Sequence, residues 1–383
     1  MWTRNEQFNN VEAVFVVLSE MDRFAAALNA VCPYYTMFPL EFPLGVLTRR
    51  SRPKQWVLDP FCGRGTTTFA ARLLGLPSIG LDSNPLAAAL AAAKLPGVSP
   101  RQVIATARYI LNEHPEATDV PSGGFWRYAY NPTTLLEVCR LREGLLESCD
   151  TEARIVLRAI LLGSLHGPLC KQGTSYFSNQ CPRTFAPKPR YALQFWKARG
   201  LRPPRVNVLE IIRSRAMRYL LDQSPSVAGI VRVGDSRVRK TYEDLPQISH
   251  VVTSPPYYGM RTYRQDQWLR NWFLGGPATV DYLSRSSDLA HSSPDAFVRQ
   301  LSDVWKNVRK VCKRGASLVV RFGGIHDRQC DPVKMLKESL RLADWELLTL
   351  RSAGTALDGR RQASQFFATT KTPRREYDFY AVK

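Results

Sequence analysis

Two strand–turn–helix units stand in succession early in the chain, and each strand ends on an aspartate. Gln55-Trp56-Val57-Leu58 is a short apolar run closed by Asp59 and a Gly-rich turn; Thr66 to Leu74 then reads as a helix with Gly75 at its C-terminal end. Ser78 to Leu81 repeats the pattern and closes on Asp82. Asn84-Pro85 next supplies an N-cap and a first helical residue for the run Leu86 to Lys94. Strand, helix, strand, helix indicates a parallel α/β sheet, because parallel neighbours need a crossover between them.

The alternation then stops for about 130 residues and resumes as Gly229 to Val233, a strand running on to Asp235. Between the two blocks, 101–112, 133–147 and 151–165 carry helical periodicity, and 205–222 reads as a basic helix. After the gap come an apolar strand at 248–253, a helix over Val304 to Lys313 and a strand over Ala316 to Phe322. Trp345 to Arg351 and Tyr377 to Val382 close the sheet, and 11–31 reads as an N-terminal helix. The expected organisation is therefore 1–95 as N-terminal helix and first part of the sheet, 96–225 as a helical, basic insertion, and 226–383 as the rest of the sheet.

Charge narrows the partner. Across 383 residues, Lys and Arg total 53 against 33 Asp and Glu, a net charge of +20, which favours a polyanion, usually nucleic acid. The eight cysteines form no Cys-x-x-Cys and no zinc-spaced Cys/His set, so no metal is expected. The apolar stretch Val11 to Val31 is interrupted by Glu12, Glu20, Asp22 and Arg23, too broken for a secretion signal or a membrane span. A cytoplasmic protein with reduced thiols is the expectation.

The turn Asp59-Pro60-Phe61-Cys62-Gly63-Arg64-Gly65-Thr66-Thr67 sits where a strand becomes a helix. Glycines there let the backbone approach a ligand, and the helix start offers free N–H groups. A phosphate-binding loop needs Lys after Gly65, and a dinucleotide fingerprint needs Gly at 68, which is Thr68; both fail. Asp59, Asp82 and Asp235 end three strands, where carboxylates line one crevice of an open α/β sheet. That arrangement suits a nucleoside-type cofactor carrying a cationic or amino end.

Thr253-Ser254-Pro255-Pro256-Tyr257 directly follows the apolar run Ile248 to Val252. Proline has no N–H, so a strand ending at two prolines leaves carbonyls that no continuing ladder takes up. Beside them Tyr257 offers a ring for stacking, and the combination suits a planar amine held for methylation. Together with the Gly-rich turn, these residues resemble the amino-group DNA methyltransferases, which use S-adenosylmethionine to methylate cytosine N4 or adenine N6. Residues 59–67 are similar to the cofactor motif of that family, and Ser254-Pro255-Pro256-Tyr257 to its catalytic motif. Thr36-Met37-Phe38-Pro39-Leu40 resembles its N-terminal cofactor-covering segment, and Arg314 to Val320 the strand after its catalytic helix.

The resemblance implies a Rossmann-like S-adenosylmethionine-dependent methyltransferase sheet over roughly 35–95 and 228–383, with a helical insertion between the second and third strands. It implies Asp59 at the methionine amino group, Phe61 beside the sulfonium, Gly63 and Gly65 at the amino-acid end, Asp82 at the ribose and Asp235 at the adenine amine. Phe38, Pro60, Cys62, Thr66, Ser83 and Ser236 complete the expected cofactor contacts, and Ser254, Pro255, Pro256 and Tyr257 form the catalytic set. Ser at the first position is usual for cytosine N4 and Asn or Asp for adenine N6. Cytosine N4 is therefore expected, with adenine N6 and then RNA guanine N2 as alternatives. The place of the insertion departs from the common subclasses of the family.

Between Arg183 and Arg218 lie ten basic residues and one acid, Glu210, interleaved with Phe185, Tyr191, Phe195 and Trp196. A solvated basic helix face is the bland explanation; the charges here span an extended segment as well as a helix, which favours phosphate contact. Arg183, Lys188, Arg190, Lys197, Arg199, Arg202 and Arg205 are the expected contacts. Arg261 and Arg264, in the segment after the Pro-Pro turn that runs on to Trp268 and Trp272, are a second set that could close over a flipped base or simply pack. Double-stranded DNA is the expected partner, with a cognate restriction endonuclease as a candidate.

Overall fold

The computed structural model describes residues 27–34, 38–169, 175–182, 188–221, 225–259, 264–280, 289, 292–324, 330–355 and 375–383. In chain order its elements are α1 (Glu41–Arg50), β1 (Trp56–Asp59), α2 (Thr66–Leu73), β2 (Ser78–Asp82) and α3 (Pro85–Ala92). Six helices follow: α4 (Pro100–Glu113), α5 (Gly124–Ala129), α6 (Pro132–Glu147), α7 (Glu152–Ser164), α8 (Pro189–Ala198) and α9 (Val208–Tyr219). The sheet then resumes with β3 (Gly229–Val233), β4 (Ile248–Thr253), α10 (Trp268–Phe273), α11 (Pro294–Val311), β5 (Cys312–Gly323), α12 (Pro332–Arg341), β6 (Glu346–Thr355) and β7 (Arg375–Val382).

The seven strands lie in the order β3-β2-β1-β4-β5-β7-β6. β1 to β5 are mutually parallel, while β7 runs antiparallel between β5 and β6. Central β4 is buried at every position and edge β3 is mostly half-buried, as their places in the order require. Successive strand residues face opposite sides: Val57, Val252 and Val319 join one apolar cluster, Leu58, Val251 and Leu318 the other. The first cluster continues from the sheet through α1, α2 and α3 into the insertion, taking in Val103, Ile160, Trp196 and Ile212. The insertion shares one core with the sheet rather than packing as a separate body.

Local chemistry explains the helix starts. Asn84 caps α3 by accepting from the Leu86 N–H, Ser99 and Gln102 form a capping box on α4, and Ser293 caps α11. The basic helix expected over 205–222 is shorter, because Asn207 caps it by accepting from the Glu210 N–H. Upstream, a separate helix, α8, starts at Pro189, and the prolines at 203 and 204 lie between the two. Of the helix expected over 11–31, only the short 3-10 turn Ala27–Ala30 and Val31 fall among the described residues. α1 has no clear helical signature in the sequence, since Pro43 and Gly45 lie within it.

Candidate active site

The chain reverses direction across the sheet between β1 and β4: β2 and β3 lie on one side, β5 on the other. In an open parallel sheet the crevice at such a switch point, outside the carboxyl ends of the strands, is where ligands bind. The Gly-rich turn leaves β1 there and the Ser254–Tyr257 turn leaves β4 there.

One carboxylate joins the two turns. The Thr253 hydroxyl donates to Asp59 Oδ1 at 2.6 Å, and the Phe61 N–H donates to the same oxygen at 3.1 Å. Nearby, Thr67 donates its hydroxyl to the Val252 carbonyl at 3.2 Å. Asp59 is wholly buried, and its Oδ2 has no hydrogen-bond partner. Burial therefore pushes its pKa up to about 6; the hydrogen bonds of Thr253 and Phe61 limit the rise, and the Asp82 charge adds to it. Burial also drives the Cys62 thiol well above its ordinary range, with Asp82 and Asp59 adding to the effect.

The backbone of the turn is shaped by glycine. Gly63 and Gly65 both have positive φ, +50° and +82°. A Cβ on Gly65 would lie 2.6 Å from the Ala91 Cα, so α2 and α3 approach too closely there for any side chain. The Gly63 N–H donates to Asp82 Oδ2 at 3.0 Å and the Asn84 N–H to Asp82 Oδ1 at 2.8 Å, which ties the ends of β1 and β2 together. Asn84 Nδ2 donates to the Tyr34 hydroxyl at 3.1 Å, bringing the segment before α1 to the same edge.

Asp235 lies just past β3, ion-paired with Arg237 at 2.6 Å. Its burial raises the pKa, yet the hydrogen bonds and charge of Arg237 hold the carboxyl below its ordinary value. Ser236 is buried and donates to the Pro60 carbonyl at 2.6 Å. Ser83 is half-buried, and Phe61 meets Trp305 edge-on at 6.1 Å. Phe38 is buried against Phe42, centroids 5.3 Å apart.

On β4's side, Ser254 and Pro256 are half-buried and Pro255 and Tyr257 are buried. The Tyr257 hydroxyl donates to Glu376 Oε1 at 2.8 Å. Sequence reading gave Thr253 and Thr67, both inside the quoted motifs, no role of their own and missed Glu376. Glu376 lies 119 residues from Tyr257 on another strand, with no local signature.

The expected nucleic-acid contacts divide. Lys188, Arg190, Lys197, Arg199, Arg202 and Arg205 are all exposed on and around α8. Arg202 and Lys197 lie 4.8 and 5.7 Å from the Tyr128 ring, and Arg199 lies 4.1 Å from that of Phe195. Trp196 is fully buried and donates to the Gln180 carbonyl, so it is core and offers no stacking surface. Trp268 and Trp272 likewise pack around Trp126, with centroids 5.7 and 4.6 Å away, so packing accounts for these two rings. Arg183, Phe185 and Arg261 lie outside the described residues, as does the Arg264 side chain; Arg264 opens the turn Arg264–Gln267.

A sheet in this order, mostly parallel with one antiparallel strand inserted before the edge, is the Rossmann-like α/β sheet expected from the sequence. In sequence, residues 5–93 match the family model described as DNA methylase. No curated protein matches the chain in sequence. Among solved structures, it is similar to the rRNA methyltransferase aviRa from Streptomyces viridochromogenes, at 13% identity and TM-score 0.37, covering 94% of each chain. It is also similar to a SAM-dependent methyltransferase from Methanosarcina mazei, at 12% identity and TM-score 0.36, covering 91% of this chain and 99% of that one. TrmN from Thermus thermophilus matches at 11% identity and TM-score 0.35, with 94% and 52% covered. Likenesses this distant say nothing of the substrate.

S-adenosylmethionine is the cofactor that the DNA methylase match implies, and the residues present fit its charged end. Asp59, at the end of β1, keeps a buried oxygen without a hydrogen-bond partner, an acceptor suited to an amino group. Among the described residues no cluster of metal-ligating side chains occurs, and no helix is long and apolar enough to cross a membrane.

Proposed function

We propose that this chain is a DNA methyltransferase that methylates the exocyclic N4 of a cytosine turned out of duplex DNA. The observation that carries the proposal is the bond from Thr253 to Asp59 across the switch point, which sets the Ser254–Tyr257 turn against the Gly-rich turn. Asp59, Gly63, Gly65 and Asp82 hold the cofactor, with Phe61, Ser83 and Ser236 at its sides. Bound there, S-adenosylmethionine supplies an electrophilic methyl group on a sulfonium.

The chain's own residues then orient the acceptor. The lone pair of a cytosine amine is delocalised into the ring, so the amine is a poor nucleophile. The Ser254 hydroxyl and the Pro255 carbonyl accept hydrogen bonds from its two N–H groups and favour a pyramidal nitrogen; orientation rather than a covalent intermediate lowers the barrier. A buried Cys62 held as the thiol is no nucleophile, in keeping with direct transfer. Turning the base out costs a few kcal/mol, of which stacking on Tyr257 returns ~1–3 kcal/mol. Exposed cations around α8 add phosphate contacts, making 96–225 the DNA-recognition region. Ser at the first catalytic position favours cytosine over adenine, and a modification–restriction pairing or an epigenetic mark would both use this reaction.

The test is to incubate the purified chain with labelled cofactor and plasmid DNA and to identify the modified nucleoside by mass. N4-methylcytosine is the expected product. N6-methyladenine would overturn the argument from Ser254, and label in RNA alone would overturn the substrate class.

A further inference from the structure

Tyr257 is tethered by an acid from a distant strand. Its hydroxyl donates to Glu376, and the two residues are only 6% and 3% exposed. Glu376 stands on β7 in register with Gly323 of β5. A Cβ at 323 would lie 2.9 Å from the Arg375 carbonyl oxygen and 3.1 Å from Glu376 Cγ, so glycine there leaves the space that Glu376 occupies. Phe322, next to it on β5, meets the Tyr257 ring edge-on at 5.3 Å. One residue further back, Arg321 grips Asp378 through two bonds of 2.8 Å and lies 4.0 Å from the Phe42 ring, on which Phe38 packs.

Burying a carboxylate is costly unless its oxygens are hydrogen-bonded, and an apolar residue would fill this position on β7 more cheaply. We propose that Glu376 is a positioning residue for Tyr257, holding its ring at the angle at which the target base stacks. The hydroxyl lies on the axis about which a tyrosine ring flips. Its bond to Glu376 therefore sets where the far end of the ring sits, while the edge contact with Phe322 sets the rotation about that axis. The inference rests on the proposed role of the 254–257 turn, and it places β7 in the substrate site.

Tyr257→Phe keeps the ring and removes the tether, and Glu376→Leu removes the acceptor. A small misplacement of a reacting partner costs up to about 100-fold, so each variant should lower kcat roughly 10- to 100-fold with cofactor affinity unchanged. Glu376→Gln, which still accepts, should stay within about threefold. Adding Glu376→Leu to Tyr257→Phe should cost less than about twofold more, since the two act as one unit. A Tyr257→Phe enzyme with wild-type kcat overturns the proposal, as does multiplication of the two losses in the double variant. A 3-fluorotyrosine placed at 257 and followed by fluorine NMR gives a readout that needs no turnover. One narrow resonance is expected in the wild type and in Glu376→Gln, and a shifted or broadened one in Glu376→Leu; an unchanged resonance in Glu376→Leu refutes the tether. Absence of methylation by the wild type would count against the proposed function, and the NMR result would still decide on the tether.

Discussion

Replacing Asp59 by Asn should change how the stability of the fold depends on pH, and the size of the change follows from burial. Asp59 has an ordinary pKa of 3.8 and a folded value of about 6. The folded protein thus holds a proton that the unfolded chain has released. Stability from this proton is fully present below the unfolded value and is lost as pH rises through the folded one. Two units at about 1.4 kcal/mol each make roughly 3 kcal/mol between pH 4 and 7. His250 works in the opposite sense. It is buried, with its ring nitrogens on Ser317 and Gln55 at 2.8 and 2.7 Å, and burial, then Lys313 and Arg50, lower its pKa from 6.5 to about 4. Its contribution is present above pH 6.5 and lost as pH falls through about 4, about 2 kcal/mol once solvent screening is allowed for.

The two groups nearly cancel in the wild type, and Asp59→Asn exposes the His250 limb alone. An Asn oxygen can still accept from Thr253 and Phe61, but its NH2 group falls where Oδ2 has no partner, costing about 1–3 kcal/mol at every pH. The variant should be less stable than the wild type at pH 4 and gain about 3 kcal/mol on it by pH 7.5. Urea unfolding of both proteins at half-unit intervals between these limits measures the difference, in which all other titrations cancel. Parallel curves would show that Asp59 carries no buried charge and would refute the reasoning.

Gly65→Ala combines a left-handed backbone with a Cβ 2.6 Å from the Ala91 Cα, so it should destabilise the fold by about 1–3 kcal/mol and weaken cofactor binding at least tenfold, read by urea unfolding and calorimetry. Six exposed cations around α8, each neutralising one phosphate, predict a log–log salt slope near −5 and a loss of about 1,000-fold in DNA affinity between 50 and 200 mM salt; a flat dependence in fluorescence anisotropy would remove this surface from the contact. Ser254→Ala should lower the single-turnover methylation rate by about 10- to 100-fold while changing DNA affinity less than about threefold. Equal losses in both would contradict an orienting role.

The amino-acid sequence by itself determined what is local. The runs 55–59 and 78–82 carry apolar strands closed by acids, the turn after Asp59 carries glycines at the two positions with positive φ, and Asn84 caps α3 within two residues of itself. The Ser254–Tyr257 turn was legible because two prolines mark the end of a strand without reference to anything else. Tertiary structure decided which of these pieces meet. The bond between Thr253 and Asp59 spans 194 residues and that between Tyr257 and Glu376 spans 119. Periodicity tells which face of an element is apolar and is silent about which strand lies beside it. For the same reason Trp196, read among the basic residues, and Trp268 and Trp272, read as rings that could either close over a base or pack, sit in the core, and Glu376, an unremarkable acid in a strand, sits on Tyr257. Strand pairing at long range brought the Gly-rich turn, the Ser254–Tyr257 turn and the start of β7 together.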